Sequence, residues 1–144
     1  MPLKRETSAG YLTNLAARWF GRIVEDDLRP IGVWSGYLPV FFALAECGAL
    51  NQKALAQDAE IEQPTMAATL ARMERDGLIG RRPDPKDKRS ALISLTPAAL
   101  RKLPAVEAAV AAVNARALAS LSPAERKQLL AALAKIVEAL ASRD

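Results

Sequence analysis

Residues 63–95 read QPTMAATLARMERDGLIGRRPDPKDKRSALISL, and their hydrophobic period changes in the middle. In the first half Met66, Leu70 and Met73 stand four and three residues apart, so they share one helical face. Pro64 suits a first turn and Gly77 suits a left-handed stop, which predicts a helix from about Gln63 to Asp76. From Leu78 onward the period shortens. Leu78–Arg82 and Ala91–Leu95 read as two short strands, and the proline-containing, charged run Pro83–Ser90 between them reads as a turn. A helix followed at once by a hairpin decides how the rest of the chain is read.

Working outward, Asn51 is placed to cap a short helix from Gln52 to about Ala59, with a turn at Ile61–Gln63. Upstream, Leu12, Leu15, Ala16, Trp19, Phe20 and Ile23 form one stripe of a helix over Ser8–Leu28, broken at Arg29-Pro30. A second helix is expected over Ser35–Glu46, with Tyr37, Val40, Phe41 and Leu44 inward and Gly48 at its end. Downstream, Thr96-Pro97 opens a helix reaching about Leu121, which Pro104 should bend or delay. Ser122 and Glu125 form a capping box for a last helix carrying Leu129, Leu130, Leu133, Ile136, Val137 and Leu140. No internal repeat interrupts this order. The expected fold class is mainly α with a small β-hairpin wing, a winged helix-turn-helix flanked by N- and C-terminal helices. Three units follow: an N-terminal helix at 1–30, a winged helix-turn-helix lobe at 31–97 and C-terminal helices at 98–144.

Composition narrows the chemistry. The chain has 144 residues, 51% of them hydrophobic, enough for a core. It has no histidine, which excludes Ser-His-Asp and Cys-His catalysis and His-ligated zinc. A single cysteine, Cys47, excludes an intrachain disulfide and a multi-cysteine metal site, and is expected to be a small buried apolar residue. The acids Glu25-Asp26-Asp27 read as a solvated helix end. No catalytic constellation, metal site or cofactor motif stands out, so the expectation is a non-enzyme without a cofactor. Met1–Glu6 lacks an apolar leader segment and no apolar run approaches about 18 residues, so the expected setting is the cytoplasm, away from membranes.

The net charge of +4 is modest, but it is unevenly spread. Arg81, Arg82, Lys86, Lys88 and Arg89 against Asp84 and Asp87 leave +3 within nine residues of the hairpin. Narrow minor grooves concentrate negative potential and attract arginine. Asp87, two residues before Arg89, is positioned to steady that side chain in a tight turn. The helix before it has the opposite character, since Gln63–Ala71 carries no charge. An ordinary solvated face would normally hold Glu and Lys there. Gln63, Thr65, Thr69 and Arg72 lie opposite the apolar stripe, as candidates for reading base edges in a major groove. Asn51, Gln52, Lys53 and Arg82 are candidates for phosphate contact, and Arg89, Asp87 and Lys88 for a minor-groove wing.

The ordered set Asn51–Ala56, Gln63–Met66, Arg72–Ile79, Asp84–Arg89 and Leu95–Pro97 closely resembles the MarR family of bacterial transcription regulators. The resemblance is dense over about residues 31–100. It implies a homodimer of winged helix-turn-helix subunits whose terminal helices interlock. It implies a DNA partner with a pseudo-palindromic site, Arg89 entering the minor groove beside Asp87, and a repressor relieved by a small aromatic or lipophilic effector. The oxidant-sensing subgroup carries a cysteine in the first helix, which this chain lacks, so that role does not transfer to Cys47.

Dimerisation also has a physical reason, because the apolar stripes of the first and last helices exceed what one small lobe can cover. Six of the seven aromatic residues fall within residues 19–42, and Trp19, Arg22, Trp34, Tyr37 and Phe41 are candidates for one effector pocket, against plain core packing. The competing reading is a protein-interaction module that keeps the winged fold without touching DNA; the basic hairpin speaks against it.

Overall fold

A computed structural model describes residues 2–142; Met1, Arg143 and Asp144, at the outer ends of the first and last expected units, lie outside the described residues. Helix α1 spans Ala9–Leu28, opened by the Ser8 side chain accepting from the Tyr11 N–H. Its buried residues, Val24 and Leu28, lie in its last two turns, and Phe20 and Ile23 pack against the core beside them. A 3-10 turn at Arg29–Ile31 ends on Gly32, whose φ of 74° places it in the left-handed region. A second 3-10 turn, Ser35–Tyr37, leads into α2 at Leu38–Cys47. The expected single helix from Ser35 therefore starts as 3-10 and becomes regular at Leu38.

Strand β1, Ala49–Leu50, follows, then α3 at Gln52–Ala59 and α4 at Gln63–Arg75. Strands β2, Ile79–Asp84, and β3, Asp87–Leu95, form the hairpin. Helices α5, Pro97–Leu118, and α6, Pro123–Ala141, close the described chain. The sheet is antiparallel with order β1-β3-β2, Leu50 facing Ile93 and Arg82 facing Leu92. β2 is an edge strand, which is why Pro83 fits inside it.

One core joins α1, α2, α3, α4, the sheet and α5 as far as Val113. Met66, Leu70 and Met73 of α4 are completely buried, as are Leu28, Leu55 and Ile93. The chain leaves α4 at Gly77 (φ 74°), and the Leu78 N–H returns to the Met73 carbonyl at 2.8 Å. Thr96 then serves two elements. Its hydroxyl donates to the Gly77 carbonyl at 2.6 Å and accepts from the Ala99 N–H at 3.1 Å, capping α5. The root of the hairpin is thus tied to the end of α4 and the start of α5. α6, by contrast, has no buried residue; its capping box forms as expected, but its apolar side stays open.

Four expectations change. The strands are longer than Leu78–Arg82 and Ala91–Leu95, and the turn shrinks to Pro85-Lys86. Asp84 accepts from the Lys86 N–H and Asp87 from the Arg89 N–H, so the tip amides find partners and the ladder continues outward. β1 has no counterpart in the sequence reading, because two residues show no period. Of the two effects expected of Pro104, a delayed start does not occur: α5 is already helical from Pro97 and passes through Pro104, and both Pro104 and Leu100, whose carbonyl loses its helical donor there, are exposed to water. Cys47 is exposed rather than buried, because the chain turns away at Gly48 just after the inward set Val40, Phe41, Ala43 and Leu44.

No single helix among the described residues is long and apolar enough to cross a membrane, and no cluster of three or more acidic or cysteine side chains there is arranged to hold a metal ion. Leu70→Ala, in the middle of the buried α4 stripe, is expected to cost about 2–5 kcal/mol. Chemical denaturation at neutral pH measures it, and a loss below about 1 kcal/mol would contradict the packing.

Candidate nucleic-acid interface

Burial of Met66, Leu70 and Met73 sets the rotation of α4 and turns the opposite side outward. Gln63, Thr65, Ala68 and Arg72 are exposed there, and Thr69 is half-buried. The Thr69 hydroxyl donates to the Thr65 carbonyl one turn back at 3.1 Å, so toward solvent it offers an acceptor. Arg72 has no ion-pair partner among the described residues. The face is polar, uncharged at its N-terminal end, and carries one free guanidinium near its C-terminal end.

The hairpin adds cations beside it. Arg81, which the sequence reading left out of its candidates, reaches back to Glu74 of α4 at 3.3 Å and ties the root of β2 to that helix. Arg82, Lys86 and Lys88 are exposed and unpaired among the described residues. Arg89 is 95% exposed, with Asp87 at 3.8 Å from its Nε. That ion pair is loose and in water, where such contacts are worth little. The firmer contact is the Asp87 carboxylate accepting from the Arg89 backbone N–H at 3.0 Å. Asp87 therefore shapes the chain at Arg89 and leaves the guanidinium free to swing, a narrower role than the steadying expected of it.

Of the phosphate candidates, Lys53 is exposed and Gln52 half-buried at the start of α3. Asn51 is already engaged: its Oδ1 accepts from the Ala54 N–H at 2.8 Å as the α3 cap. Only its amide NH2 remains to donate elsewhere.

The five effector candidates do not share a cavity. Trp19 lines a groove of about 400 Å3 with Phe20, Val113 and Leu129. Arg22 lies over the Trp19 ring, 5.0 Å from its centre, and borders a separate depression with Glu25 and Arg29. Phe41 is buried beneath a crevice of about 330 Å3 between α2 and α5. Trp34 and Tyr37 face α4 instead, across a cleft of about 330 Å3 with Thr69, Arg72 and Arg75. Helical spacing had suggested neighbours, but the break at Arg29–Gly32 turns the chain and distributes the rings over different faces.

The 3-10 turn Ser35–Tyr37 makes two contacts that sequence reasoning missed. The Tyr37 hydroxyl donates to the Asp76 carboxylate at 2.7 Å, across 39 residues of chain. Burial pushes the Tyr37 phenol up to about 12, the hydrogen bond to Asp76 and its negative charge add to the rise, and Arg75 and Arg72 oppose it. Glu25, expected as part of a solvated helix end, is turned inward: its Oε2 accepts from the Ser35 N–H at 2.9 Å, and its buried Oε1 has no partner among the described residues. Periodicity cannot reveal either contact. The only signal was a tyrosine in an otherwise apolar inward set.

The MarR family model matches residues 40–91, from α2 to within β3. An uncharacterized HTH-type transcriptional regulator of Bacillus subtilis, YwoH, is 33% identical over 89 residues, 62% of this chain and 64% of that protein, so the alignment spans less than two thirds of this relative. The transcriptional repressor CouR, solved bound to a 23-mer DNA duplex, is 26% identical with a TM-score of 0.84, covering 95% of this chain and 99% of that one. PcaV from Streptomyces coelicolor, solved with its natural ligand, matches in fold at 22% identity and a TM-score of 0.84, covering 97% of this chain and 99% of that one.

A phenol whose folded-state value lies above its unfolded one stabilises the fold fully below about pH 10 and loses that contribution as pH rises toward 12. Relative to Tyr37→Phe, which cannot titrate there, wild type is expected to lose about 2 kcal/mol of stability between pH 9 and 12. Denaturant melts of both proteins across that range measure it, and parallel profiles would contradict the burial of the phenol.

Proposed function

The chain belongs to the MarR family of transcriptional regulators, and on that premise we propose that it is a dimeric, sequence-specific DNA-binding repressor. The observation that carries the reading is the outward face of α4, uncharged and polar from Gln63 to Thr69, flanked by a hairpin whose arginines are unburied. Regulators of this family bind DNA and are not enzymes. CouR, similar over nearly its whole length, is a repressor bound to duplex DNA, which supports the same partner here.

In this reading Gln63, Thr65, Thr69 and Arg72 meet base edges in the major groove. Arg82, Lys53, Gln52 and the Asn51 amide NH2 meet phosphates and set the register. Arg89, on a backbone shaped by Asp87 and flanked by Lys88, enters the minor groove. The units are a stem helix at 1–30, a DNA-binding lobe at 31–97 and stem helices at 98–144.

The stem supports a homodimer. Leu12 and Trp19 of α1 and Leu130, Val137 and Leu140 of α6 are among the exposed large apolar side chains. A second copy of the chain would cover them. Two-fold symmetry then calls for a pseudo-palindromic site with half-sites about one turn, roughly 10 bp, apart. A small aromatic or lipophilic effector fits the α2–α5 crevice, which has a ligand-sized volume, an apolar floor of Phe41, Leu103 and Val106, and one wall in the lobe and one in the stem. The proposed setting is the cytoplasm, where such a protein meets its DNA.

Two outcomes are expected. A duplex selected by the wild-type protein from a random-sequence pool should bind with a steep salt dependence. Arg89→Ala should weaken it by about 1–3 kcal/mol, while Lys53→Ala should lower the salt slope by about one. Gel-shift or anisotropy titrations at several salt concentrations decide this; no selectable duplex would favour the protein-interaction module. In sedimentation, wild type should run at twice the 15.5 kDa chain mass, and Leu130→Glu with Val137→Glu should run as a monomer. A monomeric wild type would remove the stem dimer.

A further inference from the structure

The 3-10 turn Ser35–Tyr37 is held from two sides. From α1, the Glu25 carboxylate accepts the Ser35 N–H at 2.9 Å, at the open amide end where the chain winds toward α2. Toward α4, the Tyr37 hydroxyl donates to Asp76, the residue that ends the helix, at 2.7 Å. Tyr37 is only 2% exposed, so its ring is locked in the core and its hydroxyl has little freedom. Both grips work against a cost. Glu25 keeps a buried oxygen without a partner among the described residues, and the Asp76 carboxylate sits at the negative end of a helix dipole. Arg75, at 3.6 Å, draws the same carboxylate toward solvent.

Resting on the DNA-binding reading, we propose that Glu25 and Tyr37 are positioning residues for sequence recognition. They grip one turn and so set the tilt of α4 relative to the stem helix α1. The lever is long. Asp76 lies about 20 Å along the helix axis from Gln63, so a tilt of about 5° at the anchored end moves the reading end by more than 1 Å. Productive side-chain geometry tolerates only about half an ångström. Phosphate contacts are more forgiving, since they position the protein without reading bases. Loss of either grip therefore lowers discrimination between duplexes more than it lowers affinity for DNA in general. Neither residue touches DNA in this arrangement; both act through Asp76 and the turn.

The test compares a duplex selected by wild type with a random-sequence duplex of equal length at fixed salt. Tyr37→Phe keeps the ring and is expected to weaken the selected duplex about fivefold, the scale of one hydrogen bond, with the random duplex unchanged. Asp76→Asn, which still offers a carbonyl to the phenol, should keep wild-type discrimination, and Asp76→Ala should not. Amide hydrogen exchange without DNA supplies a second readout. Glu25→Ala should speed exchange over residues 72–78 about fivefold, although Glu25 makes no hydrogen bond or ion pair to that segment. An unchanged selected-to-random ratio in Tyr37→Phe, or an equal loss on both duplexes, overturns the proposal. So does a change in Glu25→Ala confined to residues 33–38. Should Glu25→Ala fail to fold, Tyr37→Phe decides alone through the same exchange segment. A wild type that selects no duplex refutes DNA reading, and the exchange experiment then still reports whether α1 and α4 are coupled.

Discussion

Complete burial of Met66, Leu70 and Met73 is the constraint from which the rest of the DNA-facing surface follows. Three side chains on one stripe leave α4 a single rotational setting, because a turn of the helix about its axis would bring Thr65, Thr69 or Arg72 into an apolar core. The outward face is therefore a consequence of the inward one. The identity of the outward residues is then free to serve a partner, and the sequence uses that freedom by omitting charge from Gln63 to Ala71. A solvated helix of this length would gain from paired Glu and Lys side chains. Their absence on the first two turns is a choice that packing does not explain.

Rotation alone does not place a helix; its ends must also be held. Thr96 holds the chain just past α4, joining the Gly77 carbonyl to the first turn of α5 through one hydroxyl. Arg81 and Glu74 add a second link between the hairpin root and α4. Tyr37 and Asp76 add a third, from the α1–α2 connection. These contacts converge on residues 74–77, while the Gln63 end has no side-chain cap. The helix is thus anchored at the end away from Gln63 and Thr65, with Arg72 next to the anchor.

Much of this was legible in the sequence, and the legible parts share a physical basis. Helices α1, α3, α4, α5 and α6 announce themselves through apolar spacing and cap residues, and both of those signals are local. Asn51, Thr96 and Ser122 all cap as their positions suggest, and Ser8, read as the first residue of its helix, proves to be the cap of α1. The basic hairpin is visible because charge and proline cluster within nine residues. What escaped reading depends on contacts distant in sequence. β1 exists only because β3 passes beside Ala49 and Leu50. Glu25 looked solvated because it sits among acids, and only the return of the chain at Ser35 turns it into a half-buried partner of that turn. The aromatic residues seemed to form one cluster because they are close in number, but the left-handed residue Gly32 separates their faces. Cys47 looked buried by composition and is exposed by position, at the last residue of its helix.

The hairpin tip shows how order and charge can be assigned to different atoms of the same residues. Asp84 and Asp87 each spend a carboxylate oxygen on a backbone N–H two residues ahead. That fixes the path of the chain and keeps the tip narrow. It does not fix the arginine, whose side chain stands almost wholly in water with its nearest acid at 3.8 Å. An arginine clamped by a close carboxylate would have to break that pair before meeting a phosphate or a base edge, losing part of what it gains. An arginine on a floppy loop would lose ordering entropy in the backbone as well. A rigid backbone under an unclamped guanidinium avoids both losses, and the D-x-R spacing of Asp87 and Arg89 is the shortest that lets the carboxylate reach the arginine's own N–H by a two-residue turn.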